Sequence, residues 1–180
     1  MGFFETYTDH FSQCVQQIDA AALERSLALL RQTAQAGSKV LVAGNGGSAG
    51  IASHFSLDLI KSSGVRALNF NEAGFLTCLA NDHGYAEWVE RALGMHADPG
   101  DLVVLISSSG QSENMLRGAR HARGRDMRVL TLTGFRSDNP LRALGDENLW
   151  AQSDAYNIVE SVHHVWLLSL VDALVAEKSA

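Results

Sequence analysis

Two kinds of chemistry are written into residues 39–61, KVLVAGNGGSAGIASHFSLDLIK. The first is anion binding. Asn45, Gly46, Gly47 and Ser48 form a glycine turn between a short apolar run, 40–43, and a helical pattern. Free backbone N–H groups at such a helix start converge on one point, the helix dipole favours negative charge there, and Ser48 adds a hydroxyl. The second is proton transfer. His54 and Asp58 stand four apart, on one face of the same helix. A phosphate cradle followed by an imidazole–carboxylate pair points to a phosphorylated ligand with reactive groups beside it. A tight turn kept by glycine for packing alone would read the same way, so the turn needs support from elsewhere in the chain.

That support comes from a second turn of the same type. The apolar run 102–106 leads into Ser107, Ser108, Ser109, Gly110, Gln111 and Ser112, after which a helical pattern resumes. Capping by Ser109 or Ser112 explains one hydroxyl but not four. Near the end of the chain Glu160 and His164 repeat the four-residue spacing of His54 and Asp58, with His163 as a competing imidazole. Both late histidines could equally be packed, hydrogen-bonded core residues.

Several elements must position these groups. Residues 3–36 carry Phe4, Tyr7, Phe11, Val15, Ile18 and Ala22 at helical spacing, with Asp19 able to cap a second segment. This stripe exceeds what one small sheet needs, and it reads as an oligomer interface; a helix folded back on its own domain is the alternative. Strands are expected at 40–43, 67–70, 102–106, 128–133 and 148–151. Helices are expected after the first turn and at 73–80, 85–95, 113–123 and 156 to about 176, with a turn at 81–84 and a short helix at 140–144. The repeated β-α order predicts an α/β fold with a doubly wound parallel sheet. Ligands bind such sheets beyond the carboxyl ends of the strands, where both turns fall. No linker or low-complexity stretch divides the chain, so residues 1–180 read as one domain: a helical oligomerisation segment, 1–36, and an α/β core, 37–180.

Composition sets limits on function. The 180 residues are 46% hydrophobic and 19% charged, the balance of a globular protein. The formal net charge of −6 argues against a broad basic face for nucleic acid, so any phosphate site must be built locally from backbone and hydroxyls. Cys14 and Cys78 have no metal-like spacing and read as reduced thiols of a cytoplasmic protein. No segment reads as long and apolar enough to span a membrane, and no basic start marks a signal peptide.

The GNGGS turn, the SSSGQS turn about sixty residues on, the NDHGY segment and the ESVH segment together resemble the sugar isomerase (SIS) domain family. Within it they are most similar to phosphoheptose isomerases and to the DnaA initiator-associating protein. The resemblance spans nearly the whole chain. It implies a three-layer αβα sandwich around a five-stranded parallel sheet, assembled as a homotetramer, and a phosphosugar ligand with no nucleotide cofactor. Carried over, the phosphate site is Ser107, Ser108, Ser109 and Ser112, with Asn45, Gly46, Gly47 and Ser48. Asp82 and Asn157 border the substrate. The implied reaction is an aldose–ketose shift through an enediol, on sedoheptulose 7-phosphate or a similar phosphosugar. It needs a base and a group that polarises the carbonyl.

The chain departs from the family pattern in the catalytic ring. Asp58 stands at the position of the family's Glu base, Glu160 at that of a zinc-binding Gln, Leu168 at that of the late catalytic His, and Asn157 at that of an Asp. His54 matches the family's first zinc ligand. The resemblance thus implies a rebuilt ring of Asp58, Glu160 and His164. Together with His54 these offer two carboxylates and two imidazoles, a donor set for zinc or another divalent ion. The alternative reading is a non-catalytic phosphosugar-binding protein, as in the DnaA-associating relatives.

Overall fold

The computed structural model describes residues 2–179. The apolar runs become five strands: β1 (Val40–Gly44), β2 (Ala67–Asn69), β3 (Leu102–Ser107), β4 (Arg128–Thr133) and β5 (Glu147–Trp150). They form one sheet in the order β2-β1-β3-β4-β5, each neighbouring pair parallel. Parallel neighbours require crossovers, and helices supply most of them. Two helices, α1 (Phe3–Gln16) and α2 (Ala20–Gln35), precede the sheet. The crossovers use α3 (Gly47–Asp58), α4 (Ala73–His83), α5 (Trp88–His96) and α6 (Glu113–Arg123), and α7 (Tyr156–Ser179) closes the chain.

The layers follow from side-chain alternation. Val40 and Val42 of β1, and Leu102, Val104 and Ile106 of β3, face one core with Leu27, Phe55 and Trp166. Leu41 and Ala43, with Val103 and Leu105, face the other, with Leu79, Trp88 and Met115. Strands covered on both faces must be apolar throughout, which is why these runs show no polar alternation. The result is the three-layer αβα sandwich expected from the sequence.

Asp19 Oδ1 accepts the Ala21 N–H at 3.0 Å, so residues 3–36 form two helices rather than one. The apolar stripe divides between two roles. Phe11, Val15 and Ile18 pack on the chain's own core, and the Trp166 indole donates to the Val15 carbonyl at 3.2 Å. Phe3, Phe4 and Tyr7 remain exposed. Helix α4 runs through Asp82 and His83 and stops only at Gly84, where φ is +88°. The turn expected at 81–84 therefore begins three residues late, and the two residues lie in the last turn of a helix. The expectation that no segment could span a membrane is also corrected. By length and composition alone residues 156–178 would do so, with a mean hydropathy of 1.5. Here α7 packs against α1, α2 and α3. A core helix covered on several sides is apolar on several sides and gives the same signal.

Candidate functional site

The sheet order reverses between β1 and β3, because the chain leaves β1 for β2 on one side and returns to β3 on the other. Loops that part in this way leave a crevice beyond the carboxyl ends of the two strands. Gly44 at the end of β1 pairs with Ile106 of β3, so both turns open into the same place. A cavity of about 250 Å³ lies there. The first turn lends it Asn45, Gly46, Gly47 and Ser48; the second lends Ile106, Ser107, Ser108, Ser109 and Ser112; α7 lends Tyr156 and Glu160.

Local geometry suits these turns to anions. Gly46 has φ +56°, a left-handed conformation costly for other residues, and it aims the start of α3 at the cavity. Ser112 begins α6 without capping it; its hydroxyl lies 3.3 Å from Ser107 Oγ. Ser109 Oγ accepts the Gln111 N–H at 3.3 Å. Ser48 and Ser108 are buried, and Ser108 Oγ has no hydrogen-bond partner among the described residues. Leaving a buried hydroxyl unpaired costs about 1–3 kcal/mol, which a ligand oxygen in the cavity would recover. The lining contains no lysine or arginine. Any anion bound here is held by N–H groups, hydroxyls and two helix dipoles.

Two asparagines missed in the sequence fix the turns. Asn114, buried at the start of α6, exchanges amide hydrogen bonds with Asn45 at 2.9 and 3.1 Å. Tyr85 of the NDHGY segment also donates its hydroxyl to Asn45 Oδ1, at 2.9 Å. The Asn45 side chain thus joins the two turns and is spent on protein. Asn71 grips the end of β1 from the other side, donating to the Gly44 carbonyl at 2.7 Å and accepting its N–H at 3.1 Å. An asparagine in a loop carries no sequence signal that would separate this role from ordinary turn formation.

The proposed ring residues fall into two groups. Glu160 lies in the cavity lining, its carboxylate against the bare Cα of Gly47: a Cβ there would sit 2.1 Å from Oε2. Burial pushes its carboxyl above the usual range. One turn further along α7, His164 Nε2 lies 2.7 Å from His54 Nδ1, and His54 Nε2 lies 3.1 Å from Asp58 Oδ2. Burial lowers the His164 pKa and the neighbouring His54 lowers it further, while Asp58 raises it. These three residues form a continuous imidazole–imidazole–carboxylate chain between α7 and α3, beside the cavity rather than in its lining.

In this arrangement the imidazole nitrogens bond to one another rather than spreading around a common centre. A metal held by two imidazoles needs each nitrogen about 2.0–2.1 Å from itself. Here the facing nitrogens are hydrogen-bonded to one another, and the second His54 nitrogen is bonded to Asp58. Among the described residues no group of three or more His, Cys, Asp or Glu could hold a metal ion. His163, the competing imidazole, is fully buried and donates from Nε2 to the Thr133 carbonyl at 2.9 Å. Burial brings its pKa down to about 4, against a smaller upward pull from that hydrogen bond.

Two further candidates stand apart from the cavity. Asp82 is exposed on α4 and accepts from Asn81 Nδ2 at 2.9 Å. Asn157 is exposed in the first turn of α7, and its neighbour Tyr156 is the residue that lines the cavity. Leu168 is half-buried one turn beyond His164.

A parallel αβα sandwich with two helix starts and a cluster of serines at its switch point defines a class of phosphate-binding α/β proteins. Comparison with known proteins gives the family. The sequence profile described as "SIS domain" matches residues 2–134. A phosphoheptose isomerase of Helicobacter pylori is 33% identical over 159 residues, covering 85% of this chain and 82% of its own. One of Shewanella sp. (strain ANA-3) is 33% identical over 183 residues, covering 93% and 92%. The solved structure of phosphoheptose isomerase from Neisseria gonorrhoeae superposes with a TM-score of 0.85 at 25% identity, covering 96% of this chain and 98% of that one. The chain belongs to the SIS domain family, and it is related to phosphoheptose isomerases along most of its length.

Proposed function

We propose that the protein is an aldose–ketose isomerase of a phosphosugar, with sedoheptulose 7-phosphate or a sugar phosphate like it as substrate. One observation carries this reading: a half-buried carboxylate, Glu160, shares a small cavity with serine hydroxyls and glycine N–H groups. The serine turn and the start of α3 hold the phosphate. Glu160 takes a proton from the carbon beside the carbonyl and returns it to the neighbouring carbon, through an enediol. A raised pKa makes it a stronger base than a solvated carboxylate. His164, one turn away, supplies and recovers the proton of the substrate oxygens, oriented by His54 and, through it, by Asp58. Every step is assigned to this chain's own side chains.

The test is turnover of sedoheptulose 7-phosphate, followed by NMR, in the unaltered protein and in Glu160→Gln. Glu160→Gln should cut turnover by about 10²–10⁴-fold, the usual worth of a positioned base, while phosphate binding persists. Unchanged turnover removes Glu160 from the mechanism. Tight binding with no turnover in the unaltered protein would instead support the phosphosugar-binding reading that the missing late histidine at Leu168 suggests.

A further inference from the structure

We propose that Tyr156, backed by Phe135, forms an aromatic subsite that holds the carbon face of the sugar beyond its phosphate and so selects among phosphosugars. This rests on the reading of the cavity as a sugar-phosphate site. Tyr156 opens α7 one turn before Glu160 and lines the same cavity. Its side chain is 59% exposed, so burial within the chain does not explain a large aromatic residue there. Apart from the fully buried Ile106, the rest of the lining is glycine, asparagine, serine and glutamate. Tyr156 alone offers an open apolar face.

That face is held in place. The Phe135 and Tyr156 rings pack edge-to-face, with centroids 4.8 Å apart at 78°. This is the geometry aromatic quadrupoles favour. Phe135 follows Gly134 in the loop leaving β4, at the carboxyl edge of the sheet, and packs on the core beneath. Its φ is +53°, a left-handed conformation that costs a residue with a Cβ about 1–2 kcal/mol. Such strain persists only where surrounding bonds impose it. Here the Phe135 N–H donates to the Ser153 carbonyl at 2.8 Å, and Asn139 Nδ2 donates to the Gly134 carbonyl at 3.3 Å. The loop therefore spends conformational energy on placing a ring behind Tyr156.

The chemistry then separates the two ends of a ligand. The negative face of an aromatic ring repels a phosphate but attracts the weakly positive C–H groups of a sugar. The exposed Tyr156 side chain also carries a hydroxyl that can meet a sugar hydroxyl. A ligand with a carbon skeleton long enough to leave the serine turn gains this contact, and bare phosphate does not.

Calorimetric titration with inorganic phosphate and with sedoheptulose 7-phosphate tests this. Tyr156→Ala should weaken the sugar phosphate about three- to tenfold, the worth of one aromatic contact, and leave phosphate within about twofold. Tyr156→Phe should keep most of the sugar's advantage. Equal weakening of both probes, or of neither, overturns the subsite, as does a Tyr156→Phe protein that behaves like Tyr156→Ala. If the unaltered protein binds both probes equally, the subsite fails and the phosphate cradle stands. If it binds neither, the function proposed above fails and the subsite falls with it.

Discussion

His163 and His164 are neighbours with opposite fates. On a helix, adjacent side chains diverge by about 100°, so one points into the core and the other along the α3–α7 seam. His163 is fully buried and neutral in the folded state down to a pKa of about 4, whereas an unfolded chain protonates it near the ordinary 6.5. Between these values the unfolded state binds more protons, so stability falls as pH falls from 6.5 towards 4 and stops changing for this reason below that. The expected loss is about 3 kcal/mol. Urea midpoints at pH 7 and pH 4.5 should show it, and His163→Gln, which can still donate to the Thr133 carbonyl, should flatten the difference. An equal drop in both proteins would mean that His163 reaches water when protonated.

At the scale of elements, the turn between β1 and α3 does two jobs. It presents N–H groups, and at Gly47 it leaves room for a side chain from α7. Gly47→Ala places a methyl group against the end of the flexible Glu160 side chain, not against backbone. The helix gains up to about 1 kcal/mol of propensity, and the carboxylate must move. Thermal denaturation should therefore show little loss of stability, or a small gain, while isomerase turnover falls towards the level of Glu160→Gln. A Gly47→Ala enzyme with full turnover would show that the position of Glu160 against the turn is not needed. The α2 cap offers a purely structural contrast. Asp19→Ala removes the bond to Ala21 N–H and should cost about 1 kcal/mol without changing turnover per folded molecule.

At the scale of the whole molecule, apolar surface remains to be covered. Phe3, Phe4 and Tyr7 form an exposed ring cluster on the first turns of α1, the Phe3 centroid lying 5.4 Å from that of Phe4 and 6.0 Å from that of Tyr7. Leu57, Ile60 and Val165 are exposed on α3, its extension and α7. An exposed apolar cluster such as that on α1 marks an association surface. We expect a homotetramer in which α1 supplies part of the contact. Light scattering should give a single species of four chains, and Phe4→Glu with Tyr7→Glu should shift it to smaller ones. A monodisperse monomer at micromolar concentration would overturn the expectation.

The sequence by itself determined most of the elements, the parallel α/β class and the place of the two glycine and serine turns. Each rests on local rules: apolar runs of strand length, helical spacing, Gly46 and Gly110 at turns, serines at a helix start. The four-residue spacing also made His54–Asp58 and Glu160–His164 legible as pairs on their helices. Tertiary structure alone decided how the pairs meet. Pairing across α3 and α7 depends on the rotation and depth of two helices set by core packing, and no local pattern encodes these. It placed Glu160 in the cavity, left His54, Asp58 and His164 beside it, and joined the two imidazoles where the spacing allowed for an ion. It also recruited Asn71, Asn114, Phe135 and Tyr156 from four separate segments. Their roles arise from long-range contacts at one sheet edge, so residue type and neighbours in sequence carried no mark of them.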